Sequence, residues 1–140
     1  MIYQIYKDLI DSNNKGADLR LNIYFANNLL DNWFPHSLNP VKTDISSARP
    51  AGTPFLYNEK LIRPSQNSSK SYGGSIIINE IVKLTTTEFL EIKLKQLNPN
   101  IFEGSYPDGI HTISSFGNCT LIDGKRIEYK FKHFLNRLLR

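Results

Sequence analysis

Polar and apolar positions alternate along much of this chain, and the alternation predicts strands. In DLRLNIYFA, Leu19, Leu21, Ile23 and Phe25 take turns with Arg20, Asn22 and Tyr24, the period-two pattern of a strand with one buried face. TPFLY and KLIRP form a second alternating pair. Asn58-Glu59 separates them, a short connection suited to a hairpin whose turn enters the left-handed region. SIIINEIVKL carries consecutive Ile76, Ile77 and Ile78, which predicts a strand covered on both faces. TEFLEIKLKQL alternates strictly, with Leu90, Ile92 and Leu94 on one side and Glu91, Lys93 and Lys95 on the other. HTISSF and CTLIDGKRIEYKF, joined at Gly117-Asn118, predict a further hairpin.

Between these strands lie stretches that read as loops. SLNPVKTDISSARPAG has two prolines and a closing glycine, and NPNIFEGSYPDG is of similar character. RPSQNSSKSYGG, residues 63–74, is polar, small and glycine-bearing. It reads as an inter-strand loop that presents Arg63, Gln66 and Tyr72 to something polar. At the end of the chain Phe131, Phe134, Leu135 and Leu138 have helical spacing, so the last ten residues predict a short closing helix. A strand through Ile127, Tyr129 and Phe131 competes with it.

Short hairpins at even spacing, with no long helix, place the fold in the all-β class, as a sandwich, a barrel or propeller blades. TPFLY through EIKLKQL supplies four strands in succession, the content of one blade, which favours a propeller. A chain of 140 residues is one domain, 1–140, and holds about three blades, fewer than a closed propeller has.

Composition changes this picture little. Apolar residues at 40% and charged residues at 21% are ordinary for a soluble globular domain. The net charge of +4 is scattered apart from KRIEYKFKHFLNRLLR, which argues for solvated faces and against a nucleic-acid track. No apolar run is long enough to span a bilayer, and the opening residues lack the pattern of a signal peptide, so a cytoplasmic location is the default expectation. The single cysteine, Cys119, excludes an internal disulfide framework and is expected to be a small buried thiol. The three histidines are far apart and lack ligand spacing, so neither a metal nor a cofactor is expected.

Three segments carry a more specific signal: HSLNPVKTDISSARPAG, LIRPSQNSSKSYGGSIIINEI and GIHTISSFGNCTLIDGKR. Together they resemble the later blades of a five-bladed propeller family related in fold to family 43 glycoside hydrolases. That module forms the amino-terminal domain of glucosamine inositolphosphorylceramide transferases and occurs in related bacterial proteins. The resemblance covers residues 19–126. His36, Asn39, Pro40 and Asp44 match its H-x-x-N-P-V loop, and Arg49, Ala51 and Gly52 its A-R-x-A-G step. Arg63, Pro64, Gln66, Tyr72 and Gly73 match R-P-x-Q…Y-G, His111 and Thr112 match G-x-H-T, and Asp123-Gly124 the last turn. Asn67 stands where many relatives carry Asp.

The resemblance implies a carbohydrate-active domain that binds a sugar or sugar phosphate through His36, Arg49, Arg63, Gln66, Tyr72 and His111. It also places Met1 near the middle of the family domain. The earlier blades, with the first catalytic acid, are then expected to be missing, and the chain is not expected to be catalytic alone. Hydrolysis of a glycoside needs two carboxylates, for which Glu80 and Asp44 are the candidates. The alternative for Glu80 is an ion pair with Arg49 or Arg63. For Arg63 and Gln66 the alternative is satisfaction of backbone carbonyls between blades, and for His36 a hydrogen-bonded structural role. A noncatalytic module that pairs with a missing propeller half or another chain through an open blade edge is the second functional reading.

Overall fold

The computed structural model describes residues 2–7, 19–101, 103, 105–116 and 119–128. Among them are ten strands and one turn of 3-10 helix, Pro99–Ile101. The closing helix expected over the last ten residues lies outside the described residues, as do Tyr129 and Phe131 of the strand that competes with it.

The first sheet is built around β2, Arg20–Ala26, whose alternation buries Leu21 and Ile23 completely. β1, Ile2–Lys7, pairs antiparallel with it from Ile2 opposite Ala26 to Lys7 opposite Leu21. The hydrophobic pattern did not single out that strand. On the other edge of β2 lie two short pieces, β3 (Phe34–Pro35) and β4 (Lys42–Thr43). Between them the side chain of Asn39 acts as a strand residue. Its Oδ1 accepts the Ile23 N–H at 2.9 Å and its Nδ2 donates to the Ile23 carbonyl at 2.8 Å.

The second sheet runs β5 (Phe55–Tyr57), β6 (Lys60–Asn67), β7 (Ser75–Leu84) and β8 (Phe89–Leu97), in chain order and antiparallel throughout. This is the strand content and order of one propeller blade. Asn58 (φ 48°) and Glu59 (φ 64°) both occupy the left-handed region, as a two-residue hairpin turn with the twist of its strands requires. The edge beyond β5 is continued by residues 49–51. Gln66 N–H donates to the Arg49 carbonyl at 2.8 Å and Ala51 N–H to the Pro64 carbonyl at 3.0 Å. β9 (Ile113–Phe116) and β10 (Cys119–Ile122) form the expected third hairpin.

RPSQNSSKSYGG is therefore not one loop. Its first five residues, Arg63 to Asn67, belong to β6, and only 68–74 connect β6 to β7. The reason is register: Arg63 pairs with Asn79 and Gln66 with Ile76, so the polar residues complete a ladder that three isoleucines begin. On one face of β6 and β7, Ile76 packs with Ala51 and Ile110 in a buried cluster flanked by Ile78, Leu97, Ile113 and Ile122. This cluster joins the blade-like sheet to the β9–β10 hairpin. The other face is polar and equally dry: Arg63, Ser65 and Asn79 are at most 1% exposed. Asn79 Nδ2 donates to Ser65 Oγ at 2.9 Å and to the Arg63 carbonyl at 3.1 Å, so the buried amide is satisfied.

β8 reverses the usual sense of an alternating strand. Leu90, Ile92 and Leu94 are each about half exposed, while the Glu91 side chain is only 5% exposed. Glu91 accepts from Arg63 Nε and Nη2, each at 2.7 Å, and from Lys42 Nζ at 2.7 Å. Arg63 also donates to the Ser47 carbonyl at 2.7 Å. One carboxylate thereby ties β4 of the first sheet to β6 and β8 of the second and to the turn at Ser47. Burial works to raise the Glu91 pKa, and the Arg63 and Lys42 hydrogen bonds and charges outweigh it, holding the carboxyl below its usual range. Cys119, expected to be buried, is exposed at the start of β10.

Candidate functional site

Two of the polar loops meet in space. The connection 68–74 leaves β6, turns at Gly73 and brings Tyr72 against the stretch that leads into β9. Gly73 has φ +62°, and a Cβ built on it would lie 2.6 Å from the Cβ of His111, so only glycine lets the loop pass this close. Tyr72 and His111 face each other with ring centroids 5.6 Å apart. Tyr72 also receives Arg49. The guanidinium carbon lies 4.6 Å from the ring centroid and Nη2 donates to the phenolic oxygen at 2.9 Å.

Asp123 orients the far end of this chain of contacts. It accepts the N–H groups of His111 (2.9 Å) and Thr112 (2.7 Å), and its second oxygen contacts His111 Nδ1. Partial burial works against the charge of Asp123, and the two N–H groups together with His111 more than offset it, so its pKa lies below the ordinary value. Arg49, Tyr72, His111 and Asp123, spread over 75 positions of sequence, thus form one connected series. It stands beside a cleft of about 570 Å³ lined by Tyr72, Tyr106, His111, Asp123, Lys125 and Arg126 among others. Gly124 gives Tyr106 its place there, since a Cβ at 124 would lie 2.6 Å from the Cβ of Tyr106.

The remaining sequence candidates lie elsewhere. Arg63 is fully buried and its guanidinium is spent on Glu91 and on the carbonyls of Ser47 and Ala48. Gln66 is buried and donates to the Pro50 carbonyl at 3.3 Å. Both side chains thus donate to backbone carbonyls, and Arg63 in addition pairs with a buried carboxylate. His36 is buried at the edge of β2. Its Nδ1 accepts the Leu38 N–H at 3.1 Å, which leaves the ring proton on Nε2, where it meets no partner among the described residues.

Neither candidate acid stands in the cleft. Asp44 organises its own turn, accepting from Ser46 N–H, Ser46 Oγ and Ser47 Oγ at 2.6–2.8 Å. Burial pushes its pKa up, and the Ser47 and Ser46 hydrogen bonds with the nearby Lys42 bring it below the ordinary value. Glu80 pairs with Lys60 at 2.9 Å, not with Arg49 or Arg63. Asp108 accepts the Ile127 N–H at 2.7 Å and so holds the strand-like return of the chain. Among the described residues no group of three His, Cys, Asp or Glu side chains is placed to hold a metal.

Sequence reasoning singled out three members of the cluster and passed over Tyr106, Lys125 and Arg126. Asp123 was visible as a turn residue only. A signal for it existed: the β9–β10 pairing, Ile113 opposite Ile122, continued by one residue sets Thr112 against Asp123. A second recess of about 640 Å³ lies between β2 and the 27–34 segment, and its single acid, Asp31, is bonded to Asn28.

Comparison with known proteins bears on most of the chain. Residues 2–105 match the family described as glucosamine inositolphosphorylceramide transferase 1, N-terminal. A protein of Oryza sativa subsp. japonica named glucosamine inositolphosphorylceramide transferase 1 is 36% identical over 80 residues, 56% of this chain and 10% of that protein. The protein of the same name in Arabidopsis thaliana is 28% identical over 133 residues, 85% of this chain and 17% of that protein. The chain thus spans less than a fifth of the length of these relatives. No solved structure matches. With the family model covering most of the sequence, this chain belongs to the glucosamine inositolphosphorylceramide transferase 1 N-terminal family.

Proposed function

We propose that the cleft beside Tyr72, His111 and Asp123 is a carbohydrate-binding site, and that this domain recognises a sugar without catalysing its transfer. The observation that carries the reading is the convergence of Tyr72, Tyr106, His111 and Asp123 on one cleft, with Arg49 holding Tyr72 from behind the lining. The chemistry suits a saccharide. Tyr72 and Tyr106 offer apolar ring surface for the C–H faces of a pyranose, with polar tips at the edge. Fixed donors and acceptors around them suit hydroxyl groups. The relatives are named glucosamine inositolphosphorylceramide transferase 1, and the glucosamine of that name supports a carbohydrate-linked role for the domain. The commitments of the two candidate acids support the noncatalytic part of the reading: Asp44 is bonded to Ser46 and Ser47, and Glu80 is paired with Lys60.

In the same reading the β5–β8 sheet is one blade of a five-bladed propeller of the family 43 glycoside hydrolase type, and the two smaller sheets belong to neighbouring blades. Saccharide titration of the full chain, followed by calorimetry or ligand-observed NMR, tests the site. Tyr72→Ala is expected to weaken binding about tenfold, the loss of one stacking contact, and Arg49→Ala to weaken it less, through the loss of its hold on Tyr72. Variants that bind as the parent does, or a chain that binds no saccharide, overturn the proposal. A second reading has its own observation: β8 has no partner on its outer side among the described residues and carries half-exposed Leu90, Ile92 and Leu94. It makes that edge the place where another chain adds a strand. Light scattering that finds a monomer with and without Ile92→Lys removes self-association through it.

A further inference from the structure

The cations of this protein are unequally committed. Lys42 and Arg63 share Glu91, Lys60 pairs with Glu80 and Lys83 with Glu88. Lys125 is different. Its ammonium donates to a neutral group, the Tyr72 carbonyl, at 2.6 Å, and no carboxylate of the described residues lies within ion-pair distance. It is not a freely moving surface lysine. Its N–H donates to the Gly109 carbonyl at 2.8 Å and its carbonyl accepts the Asp108 N–H at 3.0 Å. The end of its stem lies against Gly109, where a Cβ would come within 2.8 Å of Cε. The ammonium is thus held at the cleft wall with two of its three donors left over.

The acids of the cleft do not neutralise it. Asp123 is turned to His111 and Thr112. Glu128 lies 3.9 Å from Arg126, with both side chains more than half exposed, a contact that solvent screens. Lys125 and Arg126 therefore bring two positive charges to one side of a cleft whose other walls are Tyr72, Tyr106 and His111. A phosphomonoester carries nearly two negative charges and three acceptor oxygens at neutral pH, and the phosphodiester of a lipid headgroup one charge and two free acceptor oxygens.

We propose that Lys125 is the anion anchor of this cleft and that the ligand is a phosphorylated sugar, its phosphate on Lys125 and Arg126 and its ring beside Tyr72. This inference rests on the carbohydrate reading above and narrows it. The phosphate belongs either to a soluble sugar phosphate or to a sugar-bearing lipid headgroup, and the test separates the two.

The full chain is titrated with glucose, glucose 6-phosphate and glucuronate, and sedimented with phosphatidylcholine vesicles with and without phosphatidylinositol. The parent is expected to bind glucose 6-phosphate about tenfold or more tightly than glucose, the gain of charge-assisted bonds. Lys125→Met, which keeps the stem on Gly109, is expected to abolish that preference, so that glucose 6-phosphate and glucose bind this variant alike. Lys125→Arg is expected to retain it. Vesicle binding that needs phosphatidylinositol and is lost in Lys125→Met supports the anchor and places the phosphate on a lipid. Equal affinity for glucose and glucose 6-phosphate, without such vesicle binding, overturns the anion anchor and leaves the sugar site standing. Glucuronate bound as tightly as glucose 6-phosphate overturns the phosphate class. Absence of binding to every probe overturns both readings.

Discussion

Replacing Glu91 with Gln tests the buried network that ties the two larger sheets together. The carboxylate holds Arg63 through two 2.7 Å bonds and Lys42 through a third. Its partners are not equivalent: the Arg63 side chain is fully buried, whereas that of Lys42 is 23% exposed and can recover water. Removing one member of a buried ion pair costs about 3–5 kcal/mol, because the other charge is left uncompensated. Gln keeps the shape and one acceptor oxygen, and Arg63 keeps its bond to the Ser47 carbonyl, so the loss should fall at about 3 kcal/mol, the lower end of that range. In equilibrium urea unfolding this lowers the midpoint by roughly 1.5 M for a protein of this size. The double variant Arg63→Met/Glu91→Leu should lie closer to the parent than Glu91→Gln does, since it removes both charges and fills the space with apolar atoms. A Glu91→Gln midpoint that corresponds to a loss under about 1 kcal/mol would refute the argument, because that is the range of exposed pairs. The same experiment separates structure from recognition: a variant at Arg63 that weakens sugar binding at an unchanged midpoint would contradict the burial of its guanidinium.

Three further outcomes follow from the geometry. Glu59→Gly should stabilise the β5–β6 hairpin by about 0.5–1 kcal/mol, since Glu59 sits at φ 64° where a side chain is penalised, and the same urea titration measures it. Gly73→Ala should cost about 2 kcal/mol or more, combining the positive φ with a contact at 2.6 Å to His111, and should weaken saccharide binding through displacement of Tyr72; a thermal midpoint within 2 °C of the parent would count against it. The carboxyls of Glu91, Asp44 and Asp123 all have folded pKa values below their unfolded ones. Their stabilisation is fully present above the unfolded carboxylate range and is lost as pH falls through the lower folded values. Stability should therefore be flat from neutral pH to about 5 and fall below about 4, and the fall should be shallower in Glu91→Gln.

Local patterning alone carried a good part of the fold. Alternation in DLRLNIYFA, TPFLY, KLIRP and TEFLEIKLKQL marks strands because a pleated backbone sends successive side chains to opposite faces. The Asn58-Glu59 connection, the four strands in succession and the last hairpin were legible for the same reason. β1 was not, because IYQIYK becomes a strand by pairing with β2, a partner some twenty residues away.

What alternation does not contain is which side of a strand another segment will cover. In β8 the apolar side is left half exposed and the polar side carries the buried Glu91, because β4 and the Ser47 turn bring Lys42 and two carbonyls to that face. For the same reason Arg63 and Gln66, polar enough to suggest a loop, sit in a central strand with their side-chain donors on protein acceptors. The family, the strand order and three members of the candidate cluster were within reach of the sequence, since they rest on neighbours in the chain or on motifs that survive as strings. The cleft was decided by tertiary structure. Tyr72, His111, Asp123 and Lys125 become neighbours only because glycines at 73 and 124 permit approaches that distance along the chain does not encode.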